Sequence, residues 1–303
     1  MGSPEPYAGA MPPVRATRYV TPLREGGSLP GLMEAADLGT YVVKFRGAGQ
    51  GPKALVAEVI CAELAAAAGL AVPRWALVEV PAALAPAEPD EEVQHLLRAS
   101  TGLNLGIDFL PGALDVGPRP ALAPELAGRI IWFDALVGNM DRSWRNPNML
   151  LWHRALHLID HGAALTFHHA WSADPEVRAG QVQRFATSAY AVADHALVEC
   201  APDLGVADRR MAAVDWADAI HGAVAAVPEE WLDDEPGGPD GARAAYREFL
   251  LARVAARPAW LPALSDAVAR GASRDERGHR VSSRTSSGPP DWIPELRIGR
   301  GES

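Results

Sequence analysis

Strand-forming and helix-forming residues are segregated along this chain, and that asymmetry limits the folds open to it more than any other feature. The front carries short β-branched and aromatic runs punctuated by glycine and proline: residues 15–23, a shorter stretch at 32–36, Tyr41-Val42-Val43-Lys44-Phe45, 73–80 and 103–110. Such runs read as strands. A turn at Leu38-Gly39-Thr40 leads into the third, so the first three are expected to pair antiparallel. One helix is expected among them, over residues 53–68, where Leu55, Val59, Ala62 and Ala66 recur at helical spacing and Gly69 ends it. Residues 84–92 read as a Pro/Ala/Glu loop. Beyond Pro124 helices dominate, over 125–137, 176–187, 189–200, 209–227 and 242–257. A compact section at 138–164 interrupts them, with 149–152 and 156–159 as a short hairpin. The expected class is α+β and bilobal, a small β-rich N-lobe and a larger, mainly helical C-lobe joined near residues 110–115. Residues 1–13 are expected to be flexible, 14–112 to form the first lobe, 113–270 the second, and 271–303 a Ser/Arg/Gly/Pro-rich disordered tail whose segment 292–296 could dock.

Bulk composition excludes several function classes. The chain holds 28 basic and 38 acidic residues, a formal net charge of -10. Broad nucleic-acid binding needs Lys and Arg to displace counterions, so an acidic chain is a poor candidate for it. Only Cys61 and Cys200 occur, without the spacing of a zinc or redox site, and they are expected as buried reduced thiols. No basic apolar leader is visible, and no run reaches the roughly 20 apolar residues that cross a bilayer. A cytoplasmic protein without a membrane partner is the expectation.

The chemistry is concentrated in Gly138-Asn139-Met140-Asp141-Arg142-Ser143-Trp144-Arg145-Asn146-Pro147-Asn148-Met149-Leu150, followed by Leu158-Ile159-Asp160-His161-Gly162. An Asp after a helix is followed by Asn five positions on; a hairpin then separates both from a second Asp with Gly two places beyond. Phosphoryl transfer from ATP requires such a set: one carboxylate to orient or deprotonate the acceptor hydroxyl, and a carboxylate with an amide oxygen to hold Mg²⁺ on the phosphates. Gly162 is expected to permit the backbone turn that aims Asp160 at the metal. Asp, Asn and Pro also make ordinary polar turns, but both halves in this order point to a site rather than a loop.

These residues, with Ala163-Ala164-Leu165 and Phe167-His168-His169 after them, resemble HipA-like kinases, most of all the shorter bacterial ones. Tyr41-Val42-Val43-Lys44-Phe45, Glu58-Val59-Ile60-Cys61 and Gly69-Leu70-Ala71-Val72-Pro73 fit the same family, and the resemblance spans roughly residues 15–200. It implies a bilobal fold related to protein and phosphoinositide kinases, with a nucleotide-binding sheet and helix in the first lobe and the catalytic loop in the second. ATP and Mg²⁺ would be the cofactors. Lys44 would contact ATP phosphates, Asp141 would be the catalytic aspartate, and Asn146 and Asp160 would hold the metal, with Asn148 as rival amide. Too little chain precedes the first strand for the extra N-terminal subdomain of longer toxin-type members, and Ser143 stands where their His follows Asp-Arg. Both departures put their translation-related substrate in question.

In the front half, a strand-borne Lys44 could pair with phosphates and with a helix glutamate, Glu58 in preference to Glu63. The Gly26-Gly27-Ser28-Leu29-Pro30-Gly31 turn stands where a phosphate-covering loop belongs, which makes Gly27 and Ser28 candidates. Asp108 and Leu110 mark the hinge, where backbone groups could bind adenine. Gly47-Ala48-Gly49-Gln50-Gly51 with Glu79 suggests a dinucleotide-binding unit instead, but Pro52 occupies its third glycine position. His153, His157, His161, His168 and His169 lack metal-site spacing, although His161 is expected to orient Asp160. Trp132, Trp144 and Trp152 are expected as packing residues. The expected function is an ATP-dependent kinase acting on a hydroxyl, first of all a protein Ser or Thr. The alternatives are a catalytically silent nucleotide-binding regulatory protein and a small-molecule kinase.

Overall fold

The computed structural model describes residues 12–23, 29–49, 51–117 and 120–272. Gly27, Ser28 and the expected disordered tail from residue 273 onward therefore lie outside the described residues, as does the expected flexible N-terminus up to residue 11. The fold is mixed α and β. Strands β1 (Val14–Pro22), β2 (Gly31–Ala35), β3 (Thr40–Lys44), β4 (Trp75–Val80) and β5 (Gly102–Asp108) form a closed barrel in the order β1-β2-β3-β5-β4. All neighbours are antiparallel except β1 and β4, whose short parallel pairing at Val14–Val78 and Arg15–Glu79 closes the ring. Closure removes the exposed edges that an open sheet would leave. Ala16, Met33, Val43, Phe45, Val78 and Val80 fill the barrel together with Val93 and Leu97.

Val93 and Leu97 belong to helix α2 (Glu91–Ala99), which begins within the stretch expected to be loop. Asp90 caps it, accepting from the amides of Glu92 and Val93 at 2.9 and 3.4 Å. Helix α1 (Pro52–Ala67) lies between β3 and β4. Strands β3 and β4 both flank β5 rather than each other, so the parallel β-α-β neighbours of a dinucleotide fold are absent and that alternative falls. Leu55, Val59, Ile60 and Leu64 of α1 join the larger apolar core of the chain's second half, not the barrel core.

That second half holds a three-stranded sheet of β6 (Leu114–Asp115), β7 (Met149–Trp152) and β8 (Ala155–Leu158), with helices α3 (Pro124–Val137), α4 (Pro175–Thr187), α5 (Leu204–Met211), α6 (Trp216–Ala225), α7 (Gly238–Ala255) and α8 (Arg257–Ala272). Its core stacks Trp132 on Trp216 at 5.6 Å, with Trp260 edge-on to Trp132 at 5.3 Å. Two helical expectations change. The 209–227 helix is broken between α5 and α6, where Asp215 caps the second through the amide of Asp218. Residues 189–200 form no helix; their backbone bonds the segment after α3 instead, Ala196 N donating to Arg142 O at 3.1 Å and Asp194 O accepting from Trp144 N at 2.9 Å. Cys200 consequently lies outside a helix and half-buried, while Cys61 is fully buried in α1 as expected. Among the described residues no helix is long and apolar enough to cross a membrane.

Candidate phosphotransfer site

Side-chain alternation along β3 decides where Lys44 points. Val43 and Phe45 face the barrel interior, so Lys44 faces outward, toward α1. There its Nζ bonds both Glu58 Oε1 and Asp160 Oδ1. Burial alone would push the Lys44 pKa down; the two carboxylates overcome this and hold it above the usual lysine value. Asp160 shows the converse: burial favours its neutral form, but Lys44 keeps the carboxylate below its usual range. Glu63, the other helix glutamate, instead accepts from Trp75 Nε1 at 2.8 Å.

Glu58 Oε1 also accepts the Gly162 amide at 2.7 Å. A Cβ on Gly162 would lie 3.1 Å from that oxygen, so glycine serves close approach here. The backbone turn expected at Gly162 is taken by Asp160 itself, which lies in the left-handed region at φ 59°, whereas Gly162 does not. A non-glycine residue held in that region is strained and points its carboxylate away from the regular strand direction.

Asp141 follows the left-handed cap Gly138 of α3. Its amide donates to Asn139 Oδ1 at 3.1 Å, and its Oδ2 accepts from Asn146 Nδ2 at 3.1 Å and Asn148 Nδ2 at 2.9 Å. Both candidate amides thus spend an N–H on the same carboxylate oxygen. Asn148 is buried at φ 48°, and its carbonyl accepts from Ile159 N at 3.1 Å; Asn146 is exposed. Through Asn148 the loop of Asp141 is therefore fastened to the residue just before Asp160.

A buried polar cluster that sequence reasoning missed lies beneath this loop. Asp134, in the apolar interior of α3, receives Arg142 Nε at 2.6 Å, His195 Nε2 at 3.0 Å and Asn139 Nδ2 at 3.0 Å. Burial favours neutral Asp134, but Arg142 and His195 keep it well below the usual carboxylate range. Arg142 also bonds the Asn148 carbonyl and places Nη2 3.0 Å from His161 Nε2. An arginine only donates, so that nitrogen accepts, and His161 carries its proton on Nδ1, 4.0 Å from Glu58 Oε2. Burial, reinforced by the Arg142 charge, pushes the His161 pKa down to about 3. His161 thus stands between Arg142 and Glu58 but, of the two, is bonded to Arg142 alone. One signal was available in the sequence: Asp134 is the lone charge in Ile130-Ile131-Trp132-Phe133-Asp134-Ala135-Leu136-Val137.

Among the described residues, Asp108 and Leu110 share no hydrogen bond with this cluster. The Asp108 amide already donates to Arg74 O at 2.8 Å, and the Leu110 carbonyl accepts from Ala113 N at 3.1 Å. Burial raises the Asp108 pKa. Gly47 packs against Ala99 and Ser100 rather than lining a phosphate cradle. Trp132 packs in the core as expected, whereas Trp144 is 48% exposed, which corrects its reading as a packing residue. Among the described residues no group of three or more His, Cys, Asp or Glu side chains is placed to hold a metal. The fit for Mg²⁺ rests instead on hard oxygens: the Asp160 carboxylate, its side chain 46% exposed, and the amide oxygens left by Asn146 and Asn148.

A family model described as HipA-like kinase matches residues 17–256. Among solved structures, the crystal structure of a Helicobacter pylori proinflammatory kinase, CtkA, is similar, with 11% sequence identity and a TM-score of 0.48 over 86% of this chain and 99% of that one. No curated protein matches the chain.

Proposed function

This chain belongs to the HipA-like kinase family, and from that premise we propose that it transfers the γ-phosphate of Mg-ATP to the hydroxyl of a protein Ser or Thr. The reading takes residues 14–112 as N-lobe and 113–270 as C-lobe of a bilobal kinase, with ATP between them. The observation that carries it is the Lys44 pair with Glu58 and Asp160, which joins β3, α1 and the segment after β8 at one point.

In this mechanism Asp141 accepts the proton of the acceptor hydroxyl as its oxygen forms a bond to the γ-phosphorus. The bond from that phosphorus to the β–γ bridging oxygen breaks, and its electron pair leaves with ADP. Asn146 and Asn148 hold Asp141 by Oδ2, which leaves Oδ1 for the acceptor. Lys44 offers its charge to the phosphates, and Glu58 keeps Lys44 in place. Asp160 and Asn146, with Asn148 as the rival amide, would hold Mg²⁺. Bound Mg²⁺ neutralises phosphate charge.

Radiolabelled ATP and calorimetry test the assignment. Asp141→Ala is expected to lower transfer by about 10²–10⁴-fold, the usual contribution of a positioned base, while ATP affinity stays within a few fold. Asp160→Ala is expected to weaken Mg-ATP binding itself. Equal activity in the wild type and both variants removes the assignment, and nucleotide binding without any turnover in the wild type favours a silent regulatory protein.

A further inference from the structure

Large apolar side chains are exposed on both sides of Asp141: Met140 is 51% exposed and Trp144 48%, while Arg142 between them is 1% exposed. Their backbone is not loose. Ser143 and Asn146 exchange backbone bonds, each 3.1 Å, Trp144 N donates to Asp194 O at 2.9 Å, and Asn146 Nδ2 returns to Asp141 Oδ2 at 3.1 Å. The loop is thus a closed ring with Trp144 and Arg145 at its tip, each within two residues of a group that touches Asp141. A closed backbone frame that presents a Trp to water beside the Asp141 carboxylate lowers the ordering cost of binding; such anchors, Trp and Arg above all, dominate recognition surfaces.

Arg145 supplies the charge. Its guanidinium lies 4.0 Å from the Trp144 ring centroid, and it has no carboxylate partner among the described residues, in a chain whose net charge is -10. The platform is open. Met140 and Trp144 are about half exposed, and Arg145 beside them is exposed as well. Small ligands are largely enclosed by their pockets, whereas an extended chain lies on an open surface and offers side chains on either side of its reacting residue.

We propose that Met140, Trp144 and Arg145 form the acceptor-recognition surface, and that it reads a polypeptide segment bearing an apolar and an acidic side chain close to the Ser or Thr hydroxyl. The inference rests on the kinase reading above and names the substrate class for that site. It is tested with the full chain, Mg-ATP and a library of Ser/Thr peptides with randomised flanks. The wild type is expected to select an aliphatic or aromatic residue together with Asp or Glu within about four positions of the hydroxyl, the reach of an extended strand across the platform. Arg145→Glu is expected to exchange the acidic preference for a basic one. Trp144→Ala is expected to raise KM for the selected peptide about tenfold or more, the loss of one anchor, with KM for ATP changed less than about twofold; Trp144→Phe is expected to recover most of the loss. An unchanged acidic preference in Arg145→Glu, an unchanged peptide KM in Trp144→Ala, or labelling without flank preference overturns the proposal. So does a wild type that hydrolyses ATP in an Asp141-dependent way yet labels no peptide, and there the kinase reading survives. A protein that neither binds nor turns over ATP removes the kinase reading and this proposal with it.

Discussion

Asp134 has no access to solvent and meets its charge with Arg142, His195 and Asn139. Removing one member of such a set leaves the others charged or unbonded in a dry interior, which costs about 3–5 kcal/mol. Asp134→Ala is therefore expected to lose that much stability in urea unfolding, although Asp134 itself is placed to touch neither nucleotide nor acceptor. The buried imidazoles give a second residue-scale prediction. His161 and His168 are both held near pKa 3 by burial, against an ordinary value of 6.5. Below pH 6.5 the unfolded chain takes up protons that the folded protein refuses, so their contribution is undiminished above pH 6.5 and is lost as pH falls toward 3. Each is expected to remove on the order of 2 kcal/mol by pH 4.5. The lowered carboxylates, Asp134 and Asp160, add a loss only as pH drops below about 3.8. Unfolding curves at pH 7 and 4.5 measure the sum, and His168→Gln is expected to shrink the difference; equal stability at both values would contradict neutral buried rings. At this scale the meeting of Lys44 with Glu58 and Asp160, and of Asp141 with Asn146, was legible because residue type, order and the family resemblance all singled out these positions. Arg142 and His195 were not, because their function lies in contacts with Asp134 across 8 and 61 positions of chain.

Elements were legible where one segment makes its own bonds and illegible where it lends them elsewhere. Helix α3 shows a long apolar run and a left-handed glycine stop, so its end at Gly138 could be placed within a residue. Residues 189–200 have a helix-like composition, but His195 is drawn to Asp134 and the neighbouring backbone to Arg142 and Trp144, and these contacts outweigh local propensity. Helix α2 had readable signals, the Asp90 cap and Val93 with Leu97 one turn later, which the Pro and Ala residues just before it obscured. Close packing of α3 on α5 gives the prediction at this scale. A Cβ at Gly128 would stand 2.5 Å from the backbone oxygen of Asp203, the cap of α5, and a backbone atom cannot swing aside as a side chain can. Gly128→Ala is accordingly expected to destabilise by about 1–3 kcal/mol despite the better helix propensity of alanine, read as a lowered melting temperature. A raised one would mean that α5 shifts without cost.

For the whole molecule, the question is what keeps the Lys44–Glu58 pair assembled when its two residues belong to different cores. Lys44 extends from the barrel, whereas Glu58 sits on a helix whose apolar face belongs to the second half. One short segment there reaches back to the front half at three places: Trp231 Nε1 donates to Leu103 O at 3.2 Å, Glu230 lies 3.9 Å from Arg46, and Glu235 pairs with Lys53 at 3.1 Å. These contacts grip β5, the chain just after Lys44, and the first turn of α1. The partners in all three are separated by more than a hundred positions, so no periodicity could reveal them, and the sequence reading accordingly grouped α1 with the barrel strands alone. If this segment braces the two halves, loosening it will be felt beyond its own position. Trp231→Ala is expected to cost about 3–5 kcal/mol, as for other buried aromatic truncations. Hydrogen exchange is expected to quicken in β5 and α1 as well as locally, with the affinity for Mg-ATP falling alongside. The milder Glu235→Gln, which keeps an acceptor for Trp171 Nε1 but removes the charge facing Lys53, is expected to quicken exchange in the first turn of α1 while β5 stays protected. Protection of α1 that is unchanged in both variants would mean that the helix is held by its apolar contacts alone, and that barrel and helices can part without releasing Glu58 from the second half.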